Sequence, residues 1–351
     1  MDTQTNHAAQ ARSGRINFSG RGSEFFGIWI VNILLSILTL GIYSAWAKVR
    51  TMQYFYGHTQ IDGHAFRYLA TPMQILKGRL LAVGLFLLIS VLTNLFPLVA
   101  IIAAIAFLFI MPWLLIMSVR FNLRMTSYRN VRFGFQGGYG DAMINFMLLP
   151  FLSMFTLYLA LPWVLKRLDQ YVFGHISYGG KTFVVNTSTS SYYRAALMAL
   201  LVCVGLVGLA IVIAVALQFN AQDSDLKAAP WLFAPLMLAY LALLTLTGAV
   251  YQAIIRNHLF NATTLPELAS FKSDVPVLKL FLVSLTNLLL IAVSLGLAYP
   301  FAKIRISRLL AEHTEVTVQP ALDQLRDQLA AESSAFADDA AGLYDADFSL
   351  T

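Results

Sequence analysis

The residues best equipped for chemistry fall in two related strings. "WAKVRTMQYFYGHTQIDGHAF" runs from Trp46 to Phe66 and "WVLKRLDQYVFGHISYGGKTF" from Trp163 to Phe183. Each carries an arginine, a tyrosine and a histidine: Arg50, Tyr54 and His58 in the first, Arg167, Tyr171 and His175 in the second. Two such clusters facing each other would bind an anionic group, either a lipid headgroup or a small solute. A plainer role competes with that one. Aromatic and basic residues gather where a helix leaves a bilayer, the rings in the headgroup region and the cations beside lipid phosphates. Anchoring accounts for Trp46, Lys48, Arg50, Tyr54 and their copies, but it does not require Gln53, Gly57 and His58 to recur.

Other chemistry lacks its residues. The histidines have no metal-ligand spacing, and there is no phosphate loop, HExxH, nucleophile elbow or CxxC. The one cysteine, Cys203, excludes an intramolecular disulfide and a thiolate metal site. No catalytic, cofactor-binding or metal-binding residue is therefore expected, and the chain is read as a non-enzyme. The net charge of +6 comes without a Lys/Arg block long enough to follow a phosphate backbone, so nucleic acid is not an expected partner.

The elements that hold these strings lie in a membrane. Of 351 residues, 58% are hydrophobic and 12% charged, against roughly 25% charged in soluble domains. Too little polar surface remains to cover a soluble protein of this length, and the lipid bilayer is the expected partner. The polar N-terminus lacks the apolar core of a signal peptide, so the first hydrophobic run is expected to stay as an anchor. A span needs roughly twenty apolar residues. Seven runs qualify: Phe25–Trp46, Leu80–Phe96, Val99–Val119, Ala142–Val164, Ala195–Phe219, Trp231–Ile255 and Leu278–Phe301. Asn94 and Pro97 separate the second from the third.

The strings repeat with a fixed offset. Adding 117 takes Trp46, Arg50, Gln53, Tyr54, Gly57, His58, Gly63 and Phe66 to identical residues, eight matches in 21 positions. A third copy lies 255 residues on, where Asn32, Lys48, Arg50 and His58 match Asn287, Lys303, Arg305 and His313. Repeats of this kind set an architecture: one helix, a basic aromatic connector, then a helical hairpin. Asp62-Gly63 and Gly179-Gly180 predict a small β-hairpin in each connector. "RNVRF" at Arg129 and "RNHLF" at Arg256 look like a further echo that ends each hairpin. The expected fold is an all-α polytopic membrane protein with about seven transmembrane helices in internal repeats. Its boundaries are a disordered N-terminus (1–14), unit 1 (15–129), unit 2 (130–265), a truncated unit 3 (266–319) and a disordered acidic tail (320–351), with a short helix at 321–331 as the one exception.

Threading decides what the units can do. Seven spans put 14 Lys/Arg inside and 10 outside; a re-entrant first helix in each unit leaves 23 on one side and only Lys227 on the other. The positive-inside rule prefers the second. Geometry objects, because after a break at Thr39-Leu40-Gly41 only about five apolar residues would remain before Lys48 to climb back across half of a roughly 30 Å core. Seven spans are therefore expected, and tandem units of odd span number become inverted repeats, an architecture many transporters use. Polar groups inside the apolar runs, Asn32, Asn94 and Asn287, serve either as packing contacts across helices or as a substrate path. Glu24 and Asp141 start helices, where the dipole favours a carboxylate; the alternative is coupling to a proton or cation.

"FSGRGSEFFGIWIVNILLSILTLGIYSAWAKVRTMQYFYGHTQIDGHAF" resembles the opening of the YjgN-like family of bacterial inner-membrane proteins, and "YRNVRFGFQG" and "IRNHLFNATTL" resemble its internal strings. The resemblance runs from about Phe18 to about His313. It implies a multi-pass protein of the bacterial inner membrane, in a family of unknown function with no catalytic residues to carry over. The expected function is transporter- or permease-like; the alternative is a non-transporting scaffold or a lipid-headgroup-binding protein. Self-association into a homo-oligomer stays open.

Overall fold

The computed structural model describes residues 11–220, 233–325 and 327–328. The chain begins with β1 (Arg12–Arg15) and β2 (Asn17–Phe18), followed by α1 (Gly22–Leu38), α2 (Ser44–Gly57) and the hairpin β3 (Thr59–Ile61) and β4 (His64–Tyr68). Next come α3 (Pro72–Leu95), α4 (Pro97–Arg124), β5 (Thr126–Tyr128) and β6 (Val131–Phe135). A π-turn joins α5 (Tyr139–Met143) to α6 (Leu149–Phe155), and α7 (Leu161–Gly174) precedes β7 (Ile176–Tyr178), β8 (Lys181–Thr182) and β9 (Val184–Val185). The last elements are α8 (Thr189–Asn220), α9 (Phe233–Asn261), β10 (Thr263–Leu265), β11 (Ala269–Ser273), α10 (Val277–Val293), α11 (Tyr299–Glu312) and β12 (Thr314–Val318).

Four helices, α3, α4, α8 and α9, are long and apolar enough to cross a membrane. Asn94 and Pro97 separate α3 from α4 as expected: Phe96 is extended and Pro97 opens α4, where its missing N–H costs nothing. The other three apolar runs are not single helices. Phe25–Trp46 breaks at 39–43, Ala142–Val164 at 156–160 and Leu278–Phe301 at 294–298. At each break two successive residues turn left-handed: Leu40 and Gly41 (φ 49 and 91), Leu157 and Tyr158 (49 and 62), Leu295 and Gly296 (50 and 94). The second of each pair donates its N–H back into the helix, Gly41 to Ser36 O, Tyr158 to Ser153 O and Gly296 to Ile291 O at 2.7–2.9 Å. That is a helix stop closed on its own carbonyls. A hydroxyl then starts the return leg: Thr39, Thr156 and Ser294 accept the N–H of Tyr43, Ala160 and Ala298.

The return leg folds back on the outgoing one. Asn32 donates to Ala47 O at 3.5 Å and Asn287 to Ala302 O at 3.1 Å, so residues fifteen apart in sequence are neighbours across each hairpin. The expected shortage of apolar residues after the break does not arise. α2 buries Ala45, Val49 and Tyr54 against protein, so it needs no all-round lipid-facing surface. Tyr158 occupies the left-handed position that glycine holds in the other two turns, and its side chain is exposed. Tyr158→Gly is therefore expected to stabilise the fold by about 1 kcal/mol, visible as a higher melting temperature in detergent; Gly41→Tyr should shift it down.

The β-hairpins expected in the connectors are present, and further strands join them into a β-structure that the all-α expectation omitted. They form a seven-stranded sheet, β2-β3-β4-β5-β6-β7-β8, and a five-stranded one, β1-β12-β11-β10-β9. Every pairing is antiparallel. The chain itself joins the two. β1 runs into β2 through Ile16, which donates to Thr314 O at 2.9 Å, and β8 runs into β9 through Phe183, which donates to Ile176 O at 3.0 Å. Counted as single bent strands, these leave ten strands in a closed up-and-down ring with no free edge. Five helix pairs hang from one rim of that ring. The hairpin turns at Asp62-Gly63, Arg129-Asn130 and Gly179-Gly180, all with positive φ, lie at the other rim.

Closure corrects the threading. The strands following His58 and His175 belong to one hydrogen-bonded sheet, and such neighbours cannot stand on opposite sides of a bilayer. The two connectors therefore share a side. The echo between Arg129 and Arg256 also fails: Arg129 makes a β-turn, whereas Arg256 is inside α9. The strands equivalent to β5–β6 are β10–β11.

One segment expected to be disordered is ordered in part, and the short helix expected after Pro320 is present over the described residues. Arg12–Arg15 is a strand paired with β12. Residues 321–325 are helical and cover the turn rim of the ring, where Leu322 is buried and Leu325 packs on Gly179. Asp323 of this segment pairs with Arg12 and Arg129, each at 2.5 Å. The expectations for residues 1–10, the loop 221–230 and the tail 329–351 lie outside the described residues.

Candidate functional site

Inward positions on the strands alternate with outward ones, as the period of two demands. Ile61, Tyr128, Val131, Tyr178, Leu265 and Val316 fill the half of the ring nearest the turns, under Leu322 and Leu325. Tyr128 donates to Ile61 O at 2.8 Å and Tyr178 to Tyr128 O at 3.0 Å. Burial pushes the Tyr128 phenol up to about 12 and the Tyr178 phenol higher still. This half is solid core.

The half facing the helices is hollow. A chamber of about 490 Å³ is walled by Phe66, Phe133, Phe183 and Phe271 from four strands, and by Tyr56, Leu123, Phe173, Leu259 and Phe260 from the last turns of α2, α4, α7 and α9. The hydroxyls of Thr126 and Thr263 point back to their own helices, donating to Asn122 O and Leu259 O. The size suits a small-molecule ligand. The wall offers almost no partner for water, and an apolar cavity of that kind stays dry or takes an apolar guest.

The expected site residues do other work. His58, His175 and His313 each direct Nδ1 at the carbonyl four residues back, Tyr54, Tyr171 and Leu309, at 2.7–2.9 Å. They close helix C-termini at the rim. Tyr54 accepts the N–H of Arg21 at 2.8 Å and also contacts Glu24 Oε2 at 3.2 Å; Tyr171 donates to Gly138 O at 2.9 Å. Each tyrosine thus clasps the end of a return leg to the start of its outgoing leg. Burial raises both phenols above their ordinary value. Arg50 reaches Tyr43 within its own hairpin, and Arg167 lies over the Trp163 ring. The two Arg–Tyr–His sets sit in separate hairpins and do not converge.

Glu24 and Asp141 stand in the first turns of α1 and α5, where the dipole favours them. Asn32 and Asn287 tie hairpin legs together, and Arg305 donates to Asn287 Oδ1 at 2.8 Å. In the first hairpin Arg50 turns to Tyr43 instead, and Asn32 Oδ1 makes no hydrogen bond among the described residues. Asn94 is exposed at the α3–α4 corner and, among the described residues, bonds only within its helix. These asparagines mark no common path.

The sequence reading missed the chamber phenylalanines and Asn257. Asn257 accepts from Ser273 Oγ and Val275 N–H and donates to Val275 O, all within 3.0 Å, fastening α9 to the end of β11. The available signal was the alternation in "TSYRNVRFGF" and "TTLPELASFKS", which has the period of strands.

Residues 13–343 match the family described as "Bacterial protein of unknown function (DUF898)". The protein named "Inner membrane protein YjgN" from Salmonella typhimurium is 25% identical over 88% of this chain and 89% of its own length. The protein of the same name from Escherichia coli O157:H7 is 32% identical over 34% of this chain and 30% of its own. No solved structure matches.

Proposed function

The chain belongs to the DUF898 family of bacterial proteins of unknown function, and from that premise we propose that it is a non-transporting inner-membrane protein that holds lipid at one face of the bilayer. One observation carries this reading: a single closed ring, on one side of all five helix pairs, with an apolar chamber turned towards the helices. Transport by inverted repeats needs equivalent connectors on opposite faces, and a polar path at mid-depth needs asparagines that converge; neither arrangement has a counterpart here. In this reading the units are parallel, and α3, α4, α8 and α9 cross the membrane. The three shorter hairpins enter it from the ring side and turn back. Their tips favour this, since Leu38 and Leu40, Leu157 and Leu159, and Val293 and Leu295 are all at least three-quarters exposed and apolar. The 23-to-1 distribution of Lys/Arg then puts the ring in the cytoplasm.

Single cysteines in a Cys203→Ser background test the arrangement with an impermeant maleimide on intact and opened cells. His64→Cys and Glu267→Cys on the ring should react only after opening. Asn94→Cys at the α3–α4 corner should react from outside. Leu40→Cys, Leu157→Cys and Leu295→Cys should be protected in both, because their tips lie in hydrocarbon. Ring positions labelled from opposite sides, or tips labelled from outside, would sink the parallel arrangement and return transport to first place.

A further inference from the structure

A second cavity, of about 480 Å³, adjoins the ring chamber and shares Phe173, Leu259 and Phe260 with it. It lies between α7, α9, α10 and α11, and two opposite charges line it, Asp169 and Arg256. Each stands five residues before the end of its helix, so both are at the depth where the helix pairs meet the ring. They form no ion pair with each other. The Asp169 carboxylate accepts from Tyr192 OH at 2.6 Å. Arg256 Nη2 donates to Thr314 Oγ1 at 2.9 Å, its guanidinium lies 4.2 Å from the Phe260 ring centroid, and its buried Nε has no hydrogen-bond partner among the described residues. Tyr251 and Gln252 are the other polar groups on the wall.

Two half-buried charges of opposite sign, set in apolar surroundings and left unpaired, are costly unless something answers both. We propose that the joined cavities hold one zwitterionic phospholipid with a primary ammonium group. Its phosphate lies at Arg256, its ammonium at Asp169, and one acyl chain is drawn up past Phe173 and Phe260 into the ring chamber. A free zwitterion would satisfy the charges but leave the chamber empty, and a free fatty acid would fill the chamber but leave Asp169 unanswered. The bilayer beside the rim supplies the one class of molecule that does both. This inference rests on the lipid-holding reading and assigns its headgroup and its site.

The full chain, purified in mild detergent and exchanged into micelles doped with phosphatidylethanolamine, phosphatidylglycerol or palmitic acid, can be weighed by native mass spectrometry. A single phosphatidylethanolamine adduct is expected, retained about tenfold better than phosphatidylglycerol, which corresponds to about 1.4 kcal/mol. Arg256→Gln and Asp169→Asn should each erase that preference while Arg256→Lys keeps part of it. Thr263→Trp, which fills the chamber, should abolish retention of every lipid. Phosphatidylethanolamine with a photoreactive chain end gives a readout on the unmodified protein: crosslinks are expected on the strands carrying Phe66, Phe133, Phe183 and Phe271. Equal retention of phosphatidylglycerol, or a preference untouched by both charge variants, overturns the headgroup assignment. Palmitic acid retained in place of phospholipid identifies a fatty-acid site and overturns it as well. Crosslinks confined to the lipid-facing sides of α3 and α4 overturn the chamber, whatever the cysteine labelling shows about threading.

Discussion

Arg129→Ala is expected to lower stability by about 3 kcal/mol, the low end of what breaking a buried ion pair costs. The Arg129 side chain is only 4% exposed. It stands in the left-handed β5–β6 turn, 2.5 Å from Asp323 and 4.0 Å from Asp62. Arg12 bridges the same two carboxylates from β1, at 3.2 Å from Asp62 and 2.5 Å from Asp323. Removing Arg129 leaves two partly screened carboxylates sharing one exposed arginine, which is why the low end of the range applies. The loss should appear as a lower melting temperature in detergent. Faster proteolytic cutting near residue 320 should accompany it, because the Asp323 ion pairs help Leu322 and Leu325 hold residues 321–325 on the ring. Arg12→Ala, at a side chain 48% exposed, should cost well under half as much. Equal losses from the two variants would mean that the ring's cap is not held through Arg129.

Asn257→Ala is expected to cost about 2–3 kcal/mol, because it strands the N–H and C=O of Val275 together with the Ser273 hydroxyl in a buried corner. Asn94→Ala is the contrast. That side chain is exposed and, among the described residues, bonds only to Ser90 O, so the change should stay within about 0.5 kcal/mol. Thermal melts of the two variants in one detergent check the difference. If Asn94→Ala destabilised more, the corner between α3 and α4 would be a working polar site, and the case against a transport path would weaken.

Both contrasts turn on what a side chain touches, which residue type alone does not reveal. Asn32, Asn94, Asn257 and Asn287 read alike in an apolar context. In the structure two hold hairpin legs together, one anchors the ring and one faces outward. The same applies to the arginines. Arg50 and Arg305 occupy matched positions in sequence, yet one bonds Tyr43 and the other Asn287, because the third hairpin has no tyrosine at the position equivalent to Tyr43.

The sequence by itself determined the membrane class, the break at Asn94 and Pro97, the hairpins at Asp62-Gly63 and Gly179-Gly180, and the resemblance that the family match bears out. These follow from composition, and from local rules that act within a few residues. Only the tertiary structure decided that Phe25–Trp46 turns back at Gly41, that ten short strands close into one ring, and that Phe66, Phe133, Phe183 and Phe271 wall a common chamber. A left-handed Leu-Gly pair inside an apolar run is compatible with a span until a return leg packs against it. Strands of two to five residues carry too little periodicity to announce themselves, and their pairing partners lie as far apart as Arg12 and Val318. Closure is a property of all ten strands at once, so no window of sequence contains it.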